Sequence, residues 1–323
     1  MKQNISSPPL TEDEYRLCVR VAKLYYDADM TQDEIGKRLG YSRVKIHRIL
    51  RQAREAGILE VRIHTPPEYF FDLENDLTLK YNLKDALVVM EEAPGQPNYL
   101  ALARGACTWL NTHLVPGTRI GLGLGRTISH LPMVFTSNGS FQVTFTEIVG
   151  AASDYGSGIS KYNAASKLAE LSGGQAEFFY APTFVSNKSL KEQLLAEPSI
   201  QASLERARTC QIVLQSVGPV DDSALLLLHK YITVEDLQVL HQKGAVGDAL
   251  GHYFDIHGNH IPFLTDDRMI GLDLPDLLTI PWSVLIAGGI EKVKAIHGAL
   301  LGKYFNVLVT DRQTAQLLME VSD

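Results

Sequence analysis

Residues 31–57 read TQDEIGKRLGYSRVKIHRILRQAREAG, and the architecture of the N-terminal part of the chain turns on them. Thr31, Gln32, Asp33 and Glu34 have the spacing of a capping box, in which the threonine hydroxyl and the glutamate carboxylate satisfy reciprocal backbone amides at a helix start. Gly40 is a natural left-handed end for that short helix. Ser42 is placed to cap another helix lasting to Ala56 and Gly57. Upstream, Tyr15, Cys18, Val19, Val21, Ala22 and Tyr25 or Tyr26 recur at near-helical spacing, which predicts a first helix over residues 11–27. Helix, tight glycine-containing turn, helix is the spacing of a helix-turn-helix.

Plotted at about 100° per residue, the last of these helices has two sides. Ile46, Leu50, Ala53 and Gly57 should face a core, with Ile49 at its margin. Val44, Lys45, His47, Arg48, Arg51 and Gln52 face outward, a set suited to the major groove. Arginine can grip guanine O6 and N7, and Val44 can meet a thymine methyl. Arg43 at the helix start and Lys37 or Arg38 on the preceding helix are better placed for phosphates. Gln32, Tyr41 and Ser42 complete the expected DNA-contacting set with Arg43, Val44, Lys45, His47, Arg48 and Arg51.

Charge supports this. Over its 323 residues the chain has 30 Lys+Arg, 37 Asp+Glu and a formal charge of -7, which by itself argues against a nucleic-acid partner. Divided at Pro67, however, the first part carries +3 and the remainder -10. Residues 35–54 hold seven cations (Lys37, Arg38, Arg43, Lys45, Arg48, Arg51 and Arg54) and no acid. A solvated helix face usually mixes signs; a one-signed run repels itself unless it meets an anion.

Composition excludes other classes. At 45% hydrophobic residues a substantial core is available, and the length suggests roughly two domains of about 150 residues. Cys18, Cys107 and Cys210 are widely separated, with neither CxxC nor a Cys/His ligand spacing, so neither a zinc finger nor a disulfide framework is expected. No apolar leader and no run of about 18 apolar residues is present, so a cytoplasmic protein without membrane contact is expected.

After the head, residues 58–63 alternate like a short strand, room for a small wing before Pro66 and Pro67 break the chain. Phe70, Leu73, Leu77 and Tyr81 are spaced along a helix that either lies on its own domain or forms a dimer contact. The expected division is 1–65 for the helix-turn-helix, 66–84 for a linker or dimerisation helix, and 85–323 for an effector and oligomerisation domain.

From Ala86 onward short apolar runs alternate with helical patterns. Strands are expected at 86–90, 119–122, 142–149, 177–180, 211–217, 283–287 and 307–310, with helices at 100–114, 164–171 and 291–301. The fold class is therefore α/β: a small all-α head on a larger domain with a mainly parallel sheet. Ligands in such sheets bind beyond the C-terminal strand ends. Three segments qualify there: GLGLGRT (121–127), whose bare amides, Arg126 and Thr127 suit a phosphate; GAVGDALGHYFDIHG (244–258); and AGGIEK (287–292), with Lys292 near a first helical turn. A dinucleotide site would need glycine where Arg126 stands. Asp248, His252, Asp255 and His257 are read as a turn–strand–turn rather than a metal site, and neither a metal nor a cofactor is expected.

These blocks, with NAASKLAE (163–170), AGGIEKVKAIHGAL (287–300) and LVTDRQTA (308–315) in the same order, resemble the SorC family of bacterial transcriptional regulators over nearly the whole chain. The resemblance implies a sugar-binding domain related to phosphosugar isomerases, operator DNA as one partner, a sugar or sugar phosphate as effector, and a homodimer or homotetramer. It also implies an effector pocket formed by Gly123, Gly125, Arg126, Thr127, Asp248, Phe254, Gly288, Gly289 and Lys292, with Asp248 addressing hydroxyls and Lys292 an anionic group. Leu124 stands where members often carry an aromatic residue. The alternative is a sugar-phosphate isomerase-like enzyme with an appended head, using Asp248, His252 or Glu291 as base; no complete catalytic set is apparent, and a non-enzyme is expected.

Overall fold

Thr11 and Thr31 open two helices by the same device. In the computed structural model, which describes residues 10–61, 66, 69–91, 98–136, 142–151 and 164–322, each threonine hydroxyl accepts the N–H three residues on, and Glu14 or Glu34 returns the bond. Helix α1 spans Glu12–Tyr26 and α2 spans Gln32–Leu39, ending at left-handed Gly40; Ser42 caps α3, Arg43–Glu55. Contacts divide the chain into two compact units, Met1–Pro66 and Pro67–Asp323.

The smaller unit closes on Cys18, Val21, Ile35, Ile46, Ile49, Leu50 and Ala53. Ile49 is buried rather than marginal, whereas Gly57 lies beyond α3, exposed, at φ 70°. Among the described residues 58–61 there is no strand. Ile58 and Leu59 instead turn back, both amides donating to the Ala53 carbonyl, and pack on this core. Residues 62 and 63 of the expected strand lie outside the described residues.

The larger unit begins with α4 (Phe71–Tyr81), β1 (Asp85–Val89), α5 (Tyr99–His113), β2 (Arg119–Leu122), α6 (Arg126–Val134), β3 (Thr144–Glu147), α7 (Ala164–Ser172) and β4 (Gln175–Glu177). It continues with α8 (Lys188–Ala196), α9 (Pro198–Arg208), β5 (Ile212–Gln215), β6 (Gly218–Pro219), α10 (Leu225–Leu228), α11 (Val234–Gln242), β7 (Ala245–Ala249), β8 (His252–Asp255) and β9 (His260–Ile261). It ends with α12 (Leu274–Thr279), β10 (Trp282–Ile286), a 3₁₀ turn at Ile290–Lys292, α13 (Val293–Leu301), β11 (Val307–Asp311) and α14 (Arg312–Glu320).

Seven strands form one parallel sheet in the order β1-β11-β10-β5-β2-β3-β4. Its central strands are apolar on both faces. Ile212, Leu214, Val284, Ile286, Val307 and Val309 enter one core with α5, α6 and α7, while Val213, Leu285 and Leu308 enter the other. That two-sided burial is why these strands read as continuous apolar runs. A four-stranded antiparallel sheet, β6-β7-β8-β9, was not expected from the sequence; its outer strands have two residues each.

Two strand expectations shift. Strand β3 is shorter than its apolar run, and β4 lies N-terminal to Phe178–Tyr180, sharing only Glu177 with the expected span. The apolar signal there comes from packing beyond the strand end: Phe179 is buried and its amide donates to Glu147 Oε2 at 2.9 Å. Phe70, Leu73, Leu77 and Tyr81 pack onto the larger unit's own core, with Tyr81 Oη 2.8 Å from His297 Nδ1 and donating to the Leu318 carbonyl.

The connections from β2 and β5 leave in opposite directions along the sheet. A crevice at the C-terminal ends of these adjacent strands is the position where a doubly wound sheet takes a ligand.

Candidate functional site

In the smaller unit, Ser42 Oγ accepts the Lys45 amide, which starts α3 immediately after the turn and sends its first residues outward. Ser42, Arg43, Val44, His47, Arg48 and Arg51 are exposed, Val44 at 78%, a large cost in apolar exposure for a residue with no structural task. Tyr41 and Gln32 are half-buried beside them. Lys45 Nζ rests 3.9 Å over the Tyr41 ring, which orders a side chain that would otherwise sweep freely. Arg43 lies 3.8 Å from Asp33 and Arg51 3.6 Å from Glu55, exposed pairs that a phosphate can outcompete.

In the larger unit a pocket opens at the strand C-termini. It gathers Gly125 and Arg126 from the β2–α6 turn, Gln215 and Ser216 from the end of β5, Asp248 from β7, and Glu291 and Lys292 from the turn after β10. Tyr99, Phe184, Ser223, His229 and Tyr231 complete the polar and aromatic wall, with Leu124, Leu225, Leu226 and Leu250 as apolar lining.

The β2–α6 turn is built around glycine. Gln215 Oε1 accepts the Leu124 amide at 2.9 Å and occupies the space a Cβ on Gly123 would need. Gly125 sits at φ 146°, and a Cβ there would lie 2.9 Å from the Ser216 Cβ. Among the described residues no side chain caps the first turn of α6, and Gly125 and Arg126 at that helix start line the pocket, the kind of position that suits an anion. Gly125→Val is expected to lower stability by about 1–3 kcal/mol through the backbone alone, readable as a fall in Tm.

Charge converges on the same space. Arg126 Nη1 donates to Tyr99 Oη at 2.9 Å and Nη2 to the Ser223 carbonyl at 3.4 Å, which holds the guanidinium at the wall. Burial lowers the Lys292 pKa; Glu291 opposes that, Arg126 reinforces it, and Asp248 and Asp221 oppose it further. Burial pushes Asp248 up to about 6, against the Gly251 amide, Lys292 and His252. His229 is lowered by burial and then by Arg126. Lys292 and Asp248, each disfavoured in its charged form by burial, share the pocket with the Arg126 guanidinium, and a polar anionic ligand would relieve the buried cation.

Several expected effector residues lie elsewhere. Phe254 is wholly buried, its ring 5.8 Å from that of Tyr304, because its strand position points into the core rather than the pocket. Thr127 is 1% exposed and is not among the lining residues. Gly123 makes room for Gln215 instead of lining the pocket. Gly288 admits the Asp311 carboxylate, whose other oxygen caps α14, and the Gly289 amide donates to Thr314 Oγ1 at 2.8 Å. These two glycines shape the turn that carries Lys292. Asp255, once grouped with metal-type residues, closes its own turn by accepting amides from His257 and Asn259.

Gln215, Ser216, Tyr99, His229 and Tyr231 were not expected. For Gln215 and Ser216 a signal existed, polar residues ending an otherwise apolar strand run at the ligand edge of the sheet. His229 and Tyr231 follow a short helix in an irregular segment and carried none.

A helix-turn-helix unit with a cationic outward face, joined in one chain to a ligand pocket in a doubly wound sheet, defines a ligand-responsive DNA-binding regulator. Residues 65–320 match the Sugar-bind family of sugar-binding domains, and residues 20–56 match sigma-70, region 4. The chain is similar to the transcriptional regulator LsrR of Klebsiella pneumoniae subsp. pneumoniae, 33% identical over 317 residues that cover 97% of this chain and 95% of the relative. It is also similar to the deoxyribonucleoside regulator of Bacillus subtilis, 31% identical over 313 residues, 96% of this chain and 99% of the relative. Its fold matches the full-length sorbitol operon regulator SorC from Klebsiella pneumoniae with TM-score 0.72 and 27% identity, covering 95% of this chain and 100% of that one. The chain belongs to the SorC/DeoR-like family of sugar-responsive transcriptional regulators. It is a regulator and not an enzyme, and nothing in these similarities favours the isomerase alternative.

Proposed function

We propose that this regulator senses a phosphorylated sugar or polyol in the pocket at the C-terminal ends of β2 and β5. The observation that carries this is that Arg126, Lys292, the start of α6 and Asp248 all line one pocket. The cations and amides take the anionic group. Asp248 accepts from sugar hydroxyls, while Phe184 and Tyr231, rings 4.4 Å apart, offer an apolar face for the carbon skeleton. A regulator related to one named for deoxyribonucleosides and one named for a sorbitol operon fits an effector of carbohydrate class.

Operator contact uses Gln32, Tyr41, Ser42, Arg43, Val44, Lys45, His47, Arg48 and Arg51, with Val44, Lys45 and Arg48 reading base edges. The chain works as a homodimer or homotetramer in the cytoplasm. Effector binding shifts the balance between assemblies whose paired recognition helices do or do not match half-sites about one helical turn apart. Among the described residues, no helix is long and apolar enough to cross a membrane.

The test is a thermal-shift screen of sugars and polyols with and without phosphate, followed by mobility shifts on the promoter fragment. A phosphorylated ligand at 100 times its Kd should add about 2.7 kcal/mol of stability and change operator affinity. A screen in which neutral sugars and their phosphates act alike would remove the anionic half of the proposal.

A further inference from the structure

Away from the effector pocket, His252, His260 and Asp266 bring two imidazoles and a carboxylate together, their nearest ligand atoms all within 4.8 Å of one another. Strand register explains the pairing. Phe254 of β8 lies opposite His260 of β9, so His252, two residues from Phe254, projects from the same face as His260. Asp266 arrives from the segment after β9. Its Oδ1 lies 2.5 Å from His252 Nδ1 and 3.2 Å from His260 Nε2, and its Oδ2 accepts the Phe263 amide at 2.9 Å. Lys191 Nζ donates to the Asp266 carbonyl at 2.6 Å and fixes the backbone of the donor segment.

We propose that His252, His260 and Asp266 form a binding site for a zinc-type divalent ion, with two nitrogen ligands and one oxygen ligand. Such a set is borderline-soft and suits Zn²⁺, which takes imidazole nitrogen and carboxylate oxygen at about 2.0–2.2 Å and prefers four tetrahedral ligands. A tetrahedron of that size separates its ligand atoms by about 3.3 Å, near the 3.2 Å between His260 and Asp266, so the His252–Asp266 pair at 2.5 Å has to part by about 0.8 Å to admit the ion. The ion replaces the protons now held between the rings and the carboxylate, and both histidines bind it as neutral imidazoles. The Phe263 amide stays on Oδ2 and orients the carboxylate from outside. Solvent reaches the site from the His260 side, that side chain being 42% exposed against 9% for His252, so water supplies the fourth ligand. This is not the grouping of Asp248, His252, Asp255 and His257 suggested by adjacency in sequence; of those four only His252 takes part, joined by His260 of the next strand and Asp266 of the segment after it.

The competing account is a purely hydrogen-bonded clip in which Asp266 ties the β8–β9 hairpin down. The two are separated by titrating the metal-free full-length protein with ZnCl₂ against a chromogenic chelator, and with CoCl₂ for visible absorption. The expected result is one equivalent bound per chain, the absorption of tetrahedral Co²⁺, and a rise in Tm with Zn²⁺ that EDTA reverses. His260→Ala and Asp266→Asn should each weaken binding by at least about 10-fold, whereas His257→Ala, an exposed histidine on the same hairpin, should leave it unchanged. His260 is exposed, so its variant should remain folded, which far-ultraviolet circular dichroism checks. Absence of a saturable equivalent in the wild type overturns the site, as does equal binding by the wild type and His260→Ala. A loss of Tm in these variants that zinc never influences assigns the cluster to the clip.

Discussion

Arg48→Ala is expected to weaken operator binding by about 100-fold or more while leaving the effector-induced rise in Tm intact. A well-formed arginine contact to a base edge contributes about 1–3 kcal/mol of discrimination, and in a two-fold assembly each change is made in both half-sites. Arg48 is exposed on the outward side of α3, while the opposite side buries Ile46, Ile49, Leu50 and Ala53, so its removal should cost the head no packing. Removing Arg43, Lys45 and Arg48 together should abolish specific binding and reduce the slope of log affinity against log salt, because fewer phosphate counterions are released. Mobility shifts over a range of salt concentrations measure both. A triple variant that bound the operator with unchanged affinity and slope would exclude this face as the contact.

Asp248→Asn should uncouple the protein from its effector and stabilise it at neutral pH. The sign follows from Asp248 titrating near 6 in the fold against an ordinary 3.8. Below about pH 4 the carboxyl is protonated in folded and unfolded chains alike and contributes nothing. Between about pH 4 and 6 the folded protein holds a proton the unfolded chain has released, so stability falls as pH rises; above about pH 6 the whole cost of an ionised carboxylate in the pocket wall is present. Asparagine removes that cost, a gain of about 1–3 kcal/mol at pH 8 that vanishes near pH 4. It should also abolish the effector-dependent change in operator affinity, since the amide cannot supply two acceptor oxygens to sugar hydroxyls. Urea unfolding at pH 4 and pH 8, with mobility shifts at pH 8, checks both. An equal or greater loss of stability at pH 8 would mean that Asp248 is held by structural partners, not exposed to a ligand.

How far residue order alone leads depends on where burial acts. Strands β5, β10 and β11 are found near their true positions because both faces are covered, so apolar residues run consecutively through 212–214, 284–286 and 307–309. Where apolar residues pack beyond a strand end, as at Phe178–Tyr180, the same signal points to the wrong residues. The two-residue strands β6 and β9 carry no periodicity, so the second sheet was invisible until folded. At the site, Arg126 and Lys292 stand out because glycines mark the turns that carry them, and Asp248 because it lies in a strand flanked by Gly244 and Gly251. Thr127 and Phe254 are near such residues in sequence, yet local geometry turns both inward. Tyr99 and His229 meet Arg126 only through tertiary folding, and spacing along the chain has no means of pairing them.

The DNA-reading unit and the pocket that governs it are also finished at different times. The head has its own core within the first 66 residues, while the pocket draws on residues from Tyr99 to Lys292 and lacks a wall until the last of them is in place. At about 5–20 residues per second of synthesis, a chain emerging from the ribosome carries a completed DNA reader for roughly ten seconds or more before it can sense anything. During that interval no effector can be sensed, because Glu291 and Lys292 have yet to join the pocket.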